Sequence, residues 1–132
     1  MESHARITLT TIVFVHLGVT LAHGVAHLGA AVSLAPAALA FVVLVIEIGP
    51  IAGLAYSRVR PAAGAIVVAA TMAAALVFGL VNHFLVQGID HVSHVATPWR
   101  PLFGSTAVLL LVTEAAGVAA GIWCSARTHG RA

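Results

Sequence analysis

The stretch ITLTTIVFVHLGVTLAHGVAHLGAAVS, residues 7–33, decides the fold. It contains no Asp, Glu, Lys or Arg. A helix crossing the hydrocarbon core of a bilayer needs about 20 mainly apolar residues, and this stretch supplies them. It is interrupted by His16, His23 and His27. At about 100° per residue, steps of seven and eleven return to within about 20° of one direction. The three histidines therefore share one helix face, with Thr20 close to it. Lipid offers a polar side chain no partner, so that face should point inward.

Three more apolar stretches follow. They run from about Ala37 to Tyr56 after a turn at Pro36, from about Ala62 to Val86 behind Pro61, and from about Leu102 to Trp123 behind Pro101. Proline suits a first helical turn, whose N–H groups lack internal partners. The 132 residues are 61% hydrophobic and 8% charged, far below the roughly 25% charged residues of a soluble domain. A chain this short cannot hide so much apolar surface from water. The expectation is an all-α integral membrane protein, an antiparallel four-transmembrane-helix bundle forming a single membrane domain over residues 1–132. The first stretch reads as a retained span rather than a signal peptide, because it outlasts a normal apolar signal region and carries His16 within it.

Arginine sets orientation. Arg6, Arg58, Arg60, Arg127 and Arg131 fall on one side of the expected spans and only Arg100 on the other. Both termini are thus expected in the cytoplasm, in a multi-pass protein of the cell membrane. The Pro36 turn and the loop from Gln87 to Arg100 would face outward. Tyr56, Trp99 and Trp123 fall at expected interfaces, where amphipathic rings prefer to sit. The net charge of +2 is scattered, which argues against a nucleic-acid partner. The single cysteine, Cys124, excludes an internal disulfide and a cysteine-based zinc site. Gly117 and Gly121 form a GxxxG on the fourth span, the spacing that lets membrane helices approach closely.

Of eight histidines, His4 and His129 lie in polar tails and are assigned no role. With the first span starting inside, His16 lies near mid-membrane and His23 and His27 near the outer end. His83 closes the third span at the same level, and Asp90, His91 and His94 follow in the outer loop. The expected metal set is therefore His23, His27, His83, Asp90, His91 and His94, since imidazole suits zinc, copper, iron and nickel. His23 and His27 stand i, i+4, the spacing by which two imidazoles grip one ion. A structural alternative is that single membrane histidines only hydrogen-bond across helices.

Glu47 and Glu114 fall near the middle of the second and fourth spans. An ionised side chain at that depth costs about 2.5–3.5 kcal/mol on translocon-based scales, so intramembrane carboxyls are functional candidates. With His16 they are the candidates for proton relay. Pro50 removes the N–H that would bond the Ile46 carbonyl, and Gly49 loosens the same turn, a combination suited to a kink beside Glu47.

The first functional expectation is electron transfer through a b-type haem, held by His23 or His27 with His83. Arg100 would meet a propionate, and a quinone or a respiratory protein would be the partner. The second is a non-haem iron, copper or zinc site. The HxxxH of His23–His27 and the HxxH of His91–His94 resemble the histidine boxes of membrane di-iron hydroxylases and desaturases. The paired HxxHH boxes of those enzymes are missing and this chain is shorter. A third expectation is a proton or metal-ion transporter, for which a homodimer would be needed. A structural subunit of a larger respiratory assembly is a fourth.

Overall fold

A computed structural model describes residues 3–129; Arg131, counted in the charge bias, lies outside them, as does the side chain of His129. Four helices are long and apolar enough to cross a membrane. They are α1 (Ser3–Gly29), α2 (Pro36–Tyr56), α3 (Pro61–Leu85) and α4 (Arg100–His129). Pro36 and Pro61 occupy the first position of their helices, and Pro101 the second of its own.

The boundaries differ from the sequence expectation in two places. First, α1 stops at Gly29 rather than near Ser33. The Val32 N–H bonds the His27 carbonyl at 3.0 Å, and the Ala31 N–H reaches the Leu28 carbonyl at 3.2 Å. Ala31 sits between them with φ of 55°. This is a Schellman stop in which alanine takes the left-handed position usually given to glycine. Second, α4 continues past Trp123. The added turns carry Cys124, fully buried with its thiol 3.3 Å from the Ala5 carbonyl, and Arg127, whose guanidinium lies 4.6 Å from the Trp123 ring centroid.

Helix α3 packs against both α2 and α4, and α1 packs mainly on α4. Small residues set how closely they approach. A Cβ at Gly121 would lie 2.6 Å from the Ala65 carbonyl oxygen and 2.8 Å from the Ala69 Cβ, so the GxxxG of α4 is used against α3 within this chain. Between α2 and α3, a Cβ at Gly64 would collide with the Ser57 backbone. An apolar core of Leu9, Val13, Val68, Met72 and Ala120 fills one end, and a smaller one of Ala26, Val95 and Phe103 the other.

Two helices widen locally into π-helix, at Val42–Ile48 of α2 and Val81–Leu85 of α3. Such insertions often mark functional positions. The first runs up to Gly49 and Pro50. Pro50 has no N–H to give the Ile46 carbonyl, and the vacancy is filled from α1, where His16 Nε2 lies 3.2 Å from that oxygen. His16 is fully buried, and Thr20 turns its hydroxyl to the His16 carbonyl at 3.0 Å. His16 thus joins α1 to α2.

Candidate metal centre

Three helices and one loop deliver the site. His23 and His27 come from α1, one turn apart on its inward face. His83 comes from the π-turn that ends α3. Beyond it Val86 is extended (φ −90°, ψ 123°), and the chain folds back so that the Val92 N–H bonds the His83 carbonyl at 3.0 Å. That reversal places Asp90 against the histidines. From α4, Phe103 sets its ring under all three imidazoles, with centroid distances of 4.6 Å to His23, 4.9 Å to His27 and 5.3 Å to His83.

The outer nitrogen of each imidazole is tied to an oxygen. His23 Nδ1 lies 2.9 Å from Thr106 Oγ1, His27 Nδ1 lies 3.3 Å from the Val32 carbonyl, and His83 Nδ1 lies 3.1 Å from the Asp90 carbonyl. A carbonyl only accepts, so His27 and His83 donate from Nδ1. The Thr106 hydroxyl lies 2.7 Å from the Leu102 carbonyl and donates there, which leaves its oxygen to accept from His23. All three neutral rings therefore keep a lone pair on Nε2.

Those three lone pairs converge. His23 Nε2 lies 3.2 Å from His83 Nε2 and 3.2 Å from His27 Nε2. Asp90 adds more acceptors: Oδ1 lies 3.2 Å from His27 Nε2, and Oδ2 lies 3.4 Å from His83 Nδ1. Both carboxylate oxygens are buried without a hydrogen bond. Asp90 Oδ2 faces the His83 Nδ1–H, but Oδ1 and the three Nε2 atoms set acceptor against acceptor, which is costly unless a proton or a metal ion lies between them. Nitrogens bound tetrahedrally at 2.0–2.1 Å from an ion lie about 3.3–3.4 Å apart, close to the two separations measured from His23. His23, His27 and His83 form a buried cluster that could hold a metal ion.

The other expected residues lie elsewhere. His91 turns Nδ1 to Ser93 Oγ at 2.7 Å and Nε2 towards the Phe84 carbonyl at 3.3 Å. The more exposed His94 bonds the Gly88 carbonyl at 2.7 Å. Their rings face each other at 5.5 Å and do not join the cluster, so the two histidine motifs that resemble di-iron boxes do not share one centre. Arg100 donates to the carbonyls of Val95 and Ser93, both at 3.1 Å, and so fastens the loop instead of facing the cluster.

Beside the cluster lies a cavity of about 670 Å³. Its walls are mostly apolar, and its polar residues include His23, His27, His83, Asp90, Glu47 and Glu114. Glu114 is 1% exposed, with Oε2 buried and unpartnered. The carboxyls of Glu47 on α2 and Glu114 on α4 thus line the space next to the histidines. His16 is outside this lining. Sequence reasoning missed Thr106 and Phe103. Both stand on α4 within a turn of each other, in a span where Glu114 was the only site candidate; the hydroxyl at Thr106 was the available signal.

No family model, curated protein or solved structure matches this chain.

Proposed function

We propose that this chain is a multi-pass membrane metalloprotein, an antiparallel bundle with both termini cytoplasmic, in which His23, His27 and His83 hold one transition-metal ion. The observation that carries the reading is the convergence of three Nε2 lone pairs, those of His27 and His83 each 3.2 Å from that of His23 and all within 4.8 Å of one another, each fixed by an Nδ1–H bond behind it. Such bonds behind a ligating imidazole set its tautomer and raise its basicity. Asp90 supplies negative charge against the ion. Three protein ligands with space alongside are the pattern of catalytic rather than structural metal sites. The adjoining cavity, with Glu47 and Glu114, provides a place for a second molecule and groups that can exchange protons with it.

The test is elemental analysis of the purified protein, followed by cobalt(II) titration in the visible range. One equivalent of metal is expected in the wild type, and its loss in His23→Ala and His83→Ala. Absence of both stoichiometric metal and cobalt binding in the wild type would overturn the proposal.

A b-type haem with electron transfer is the second reading. It draws on the cavity beside His27 and on Gly24, where an added Cβ would meet nothing within 4 Å. Against it, a haem would be held by two of the three histidines and would leave the lone pair of the third without a partner. A Soret band that shifts on reduction would decide for haem.

A further inference from the structure

The cavity beside the histidines reaches the outer surface of the helices. Leu21, Val25 and Leu28 of α1 and Leu39 of α2 line it, and all four are more than half exposed. They flank a gap, because α1 meets the first half of α2 only sparsely. The His16–Ile46 hydrogen bond closes the deep end of that gap. In a spanning helix these residues contact lipid, so the gap opens towards the bilayer as well as towards the α1–α2 turn, where Val32, Ser33 and Leu34 also line it.

The inner end of the passage is not apolar. Glu114 Oε2 is buried with no hydrogen-bond partner and lines the cavity, opposite Gly79, which stands one turn before His83 on α3. A Cβ at Gly79 would lie 3.8 Å from His83 Cδ2 and 3.9 Å from Glu114 Oε2, so the histidine and the carboxyl border one common space beside this position. A buried polar oxygen without a partner calls for a ligand group that supplies one. A hydroxyl both donates and accepts, and so satisfies a carboxyl in either protonation state.

We propose that the cavity takes a hydroxyl-bearing apolar molecule, an alcohol or phenol dissolved in the bilayer, which enters between α1 and α2 and sets its hydroxyl against Glu114 beside the histidine cluster. The apolar body lies along Leu21, Val25 and Leu39. The inference depends on the metal reading only for what becomes of the hydroxyl once it is bound.

The full chain in lipid nanodiscs is labelled with a photoactivatable twelve-carbon alcohol, its methyl ether, and the matching alkane, and the labelled peptides are mapped. The alcohol should label the facing stretches of α1 and α2 roughly fivefold more than the alkane, the discrimination of one buried hydrogen bond, and the ether should match the alcohol only where Glu114 donates. Excess 1-dodecanol should compete and dodecane should not. A phenol-headed probe of equal length, run in parallel, distinguishes aliphatic from aromatic hydroxyl. Glu114→Leu should abolish the preference, and Glu114→Gln should keep most of it. Val25→Trp lies on the exposed face, so folding is unaffected, and it should reduce labelling by both hydroxyl probes. Equal labelling by alcohol, ether and alkane would overturn the proposal and make the gap an acyl-chain groove. Cross-links between two copies through the same residues, with no probe labelling, would overturn it too. Elemental analysis of the same samples separates the two proposals: a retained hydroxyl preference in metal-free protein supports this one while the metal reading fails.

Discussion

Thr106 provides the sharpest test of how the histidines are arranged. Thr106→Val exchanges one hydroxyl for a methyl and leaves the branching of the side chain unchanged. In the wild type that hydroxyl donates to the Leu102 carbonyl and accepts from His23 Nδ1 at 2.9 Å. The Leu102 carbonyl lies in a helix and loses only a supplementary donor. The His23 N–H loses its sole acceptor in a buried place. Leaving such a donor unpaired costs about 1–3 kcal/mol. The neutral ring can escape the cost by moving its proton to Nε2, but that places a hydrogen where the three lone pairs meet. Either way the penalty falls on the metal-bound form, in which Nδ1 must carry the proton. Loss of a partner behind a ligating histidine typically lowers affinity about 10–100-fold. That corresponds to about 1.4–2.8 kcal/mol, inside the range for the lost bond. The assay is cobalt(II) binding against a chelator of known affinity, for wild type, Thr106→Val, Thr106→Ser and His23→Ala. Serine should restore most of the affinity, and His23→Ala should lose a ligand outright. If Thr106→Val binds cobalt like the wild type while His23→Ala does not, the tautomer argument is wrong, even though His23 remains a ligand.

Four further outcomes are expected. Ala31→Gly should raise stability by about 1 kcal/mol in a thermal unfolding assay, because the left-handed φ of 55° penalises a Cβ; cobalt affinity should not change, since the Val32 carbonyl stays where His27 needs it. Gly121→Ala should destabilise by about 1–3 kcal/mol, as the new methyl would press on the Ala65 backbone and force α3 and α4 apart. His16→Leu should cost about 1–3 kcal/mol through the orphaned Ile46 carbonyl, and metal content should survive; loss of metal in this variant would count against separate roles for His16 and the cluster. Acidification should release the metal with proton uptake, because each Nε2 lone pair that binds an ion is also a proton acceptor, measurable as cobalt absorbance against pH.

The inward stripe of α1 was legible because it follows from helical period alone. His16, His23 and His27 are all turned inward, the first two buried outright. Period fixes direction but not partner. Seven residues separate His16 from His23, a rise of about 10.5 Å, so the stripe serves two levels. His16 answers a carbonyl freed by Pro50, while His23 and His27 join His83. The free carbonyl was readable from the proline, but which side chain would meet it depended on how α1 and α2 cross.

The loop was the opaque part. Asp90, His91 and His94 lie within five residues, and spacing treats them alike. Only the backbone after His83 separates them. The reversal at Val86 puts the Asp90 carbonyl on His83 Nδ1 and turns His91 and His94 towards loop oxygens. No periodic signal encodes that reversal. Arg100 was misjudged for the same reason: a cation near the site was expected to face it, yet the loop has carbonyls at Ser93 and Val95 that need donors, and these are nearer in the chain. Asp90 therefore keeps its buried carboxylate oxygens without a hydrogen bond, and the histidines keep three lone pairs aimed at one another. An arginine turned inward would have satisfied those acceptors; directed into the loop, it leaves that part to the metal ion proposed above.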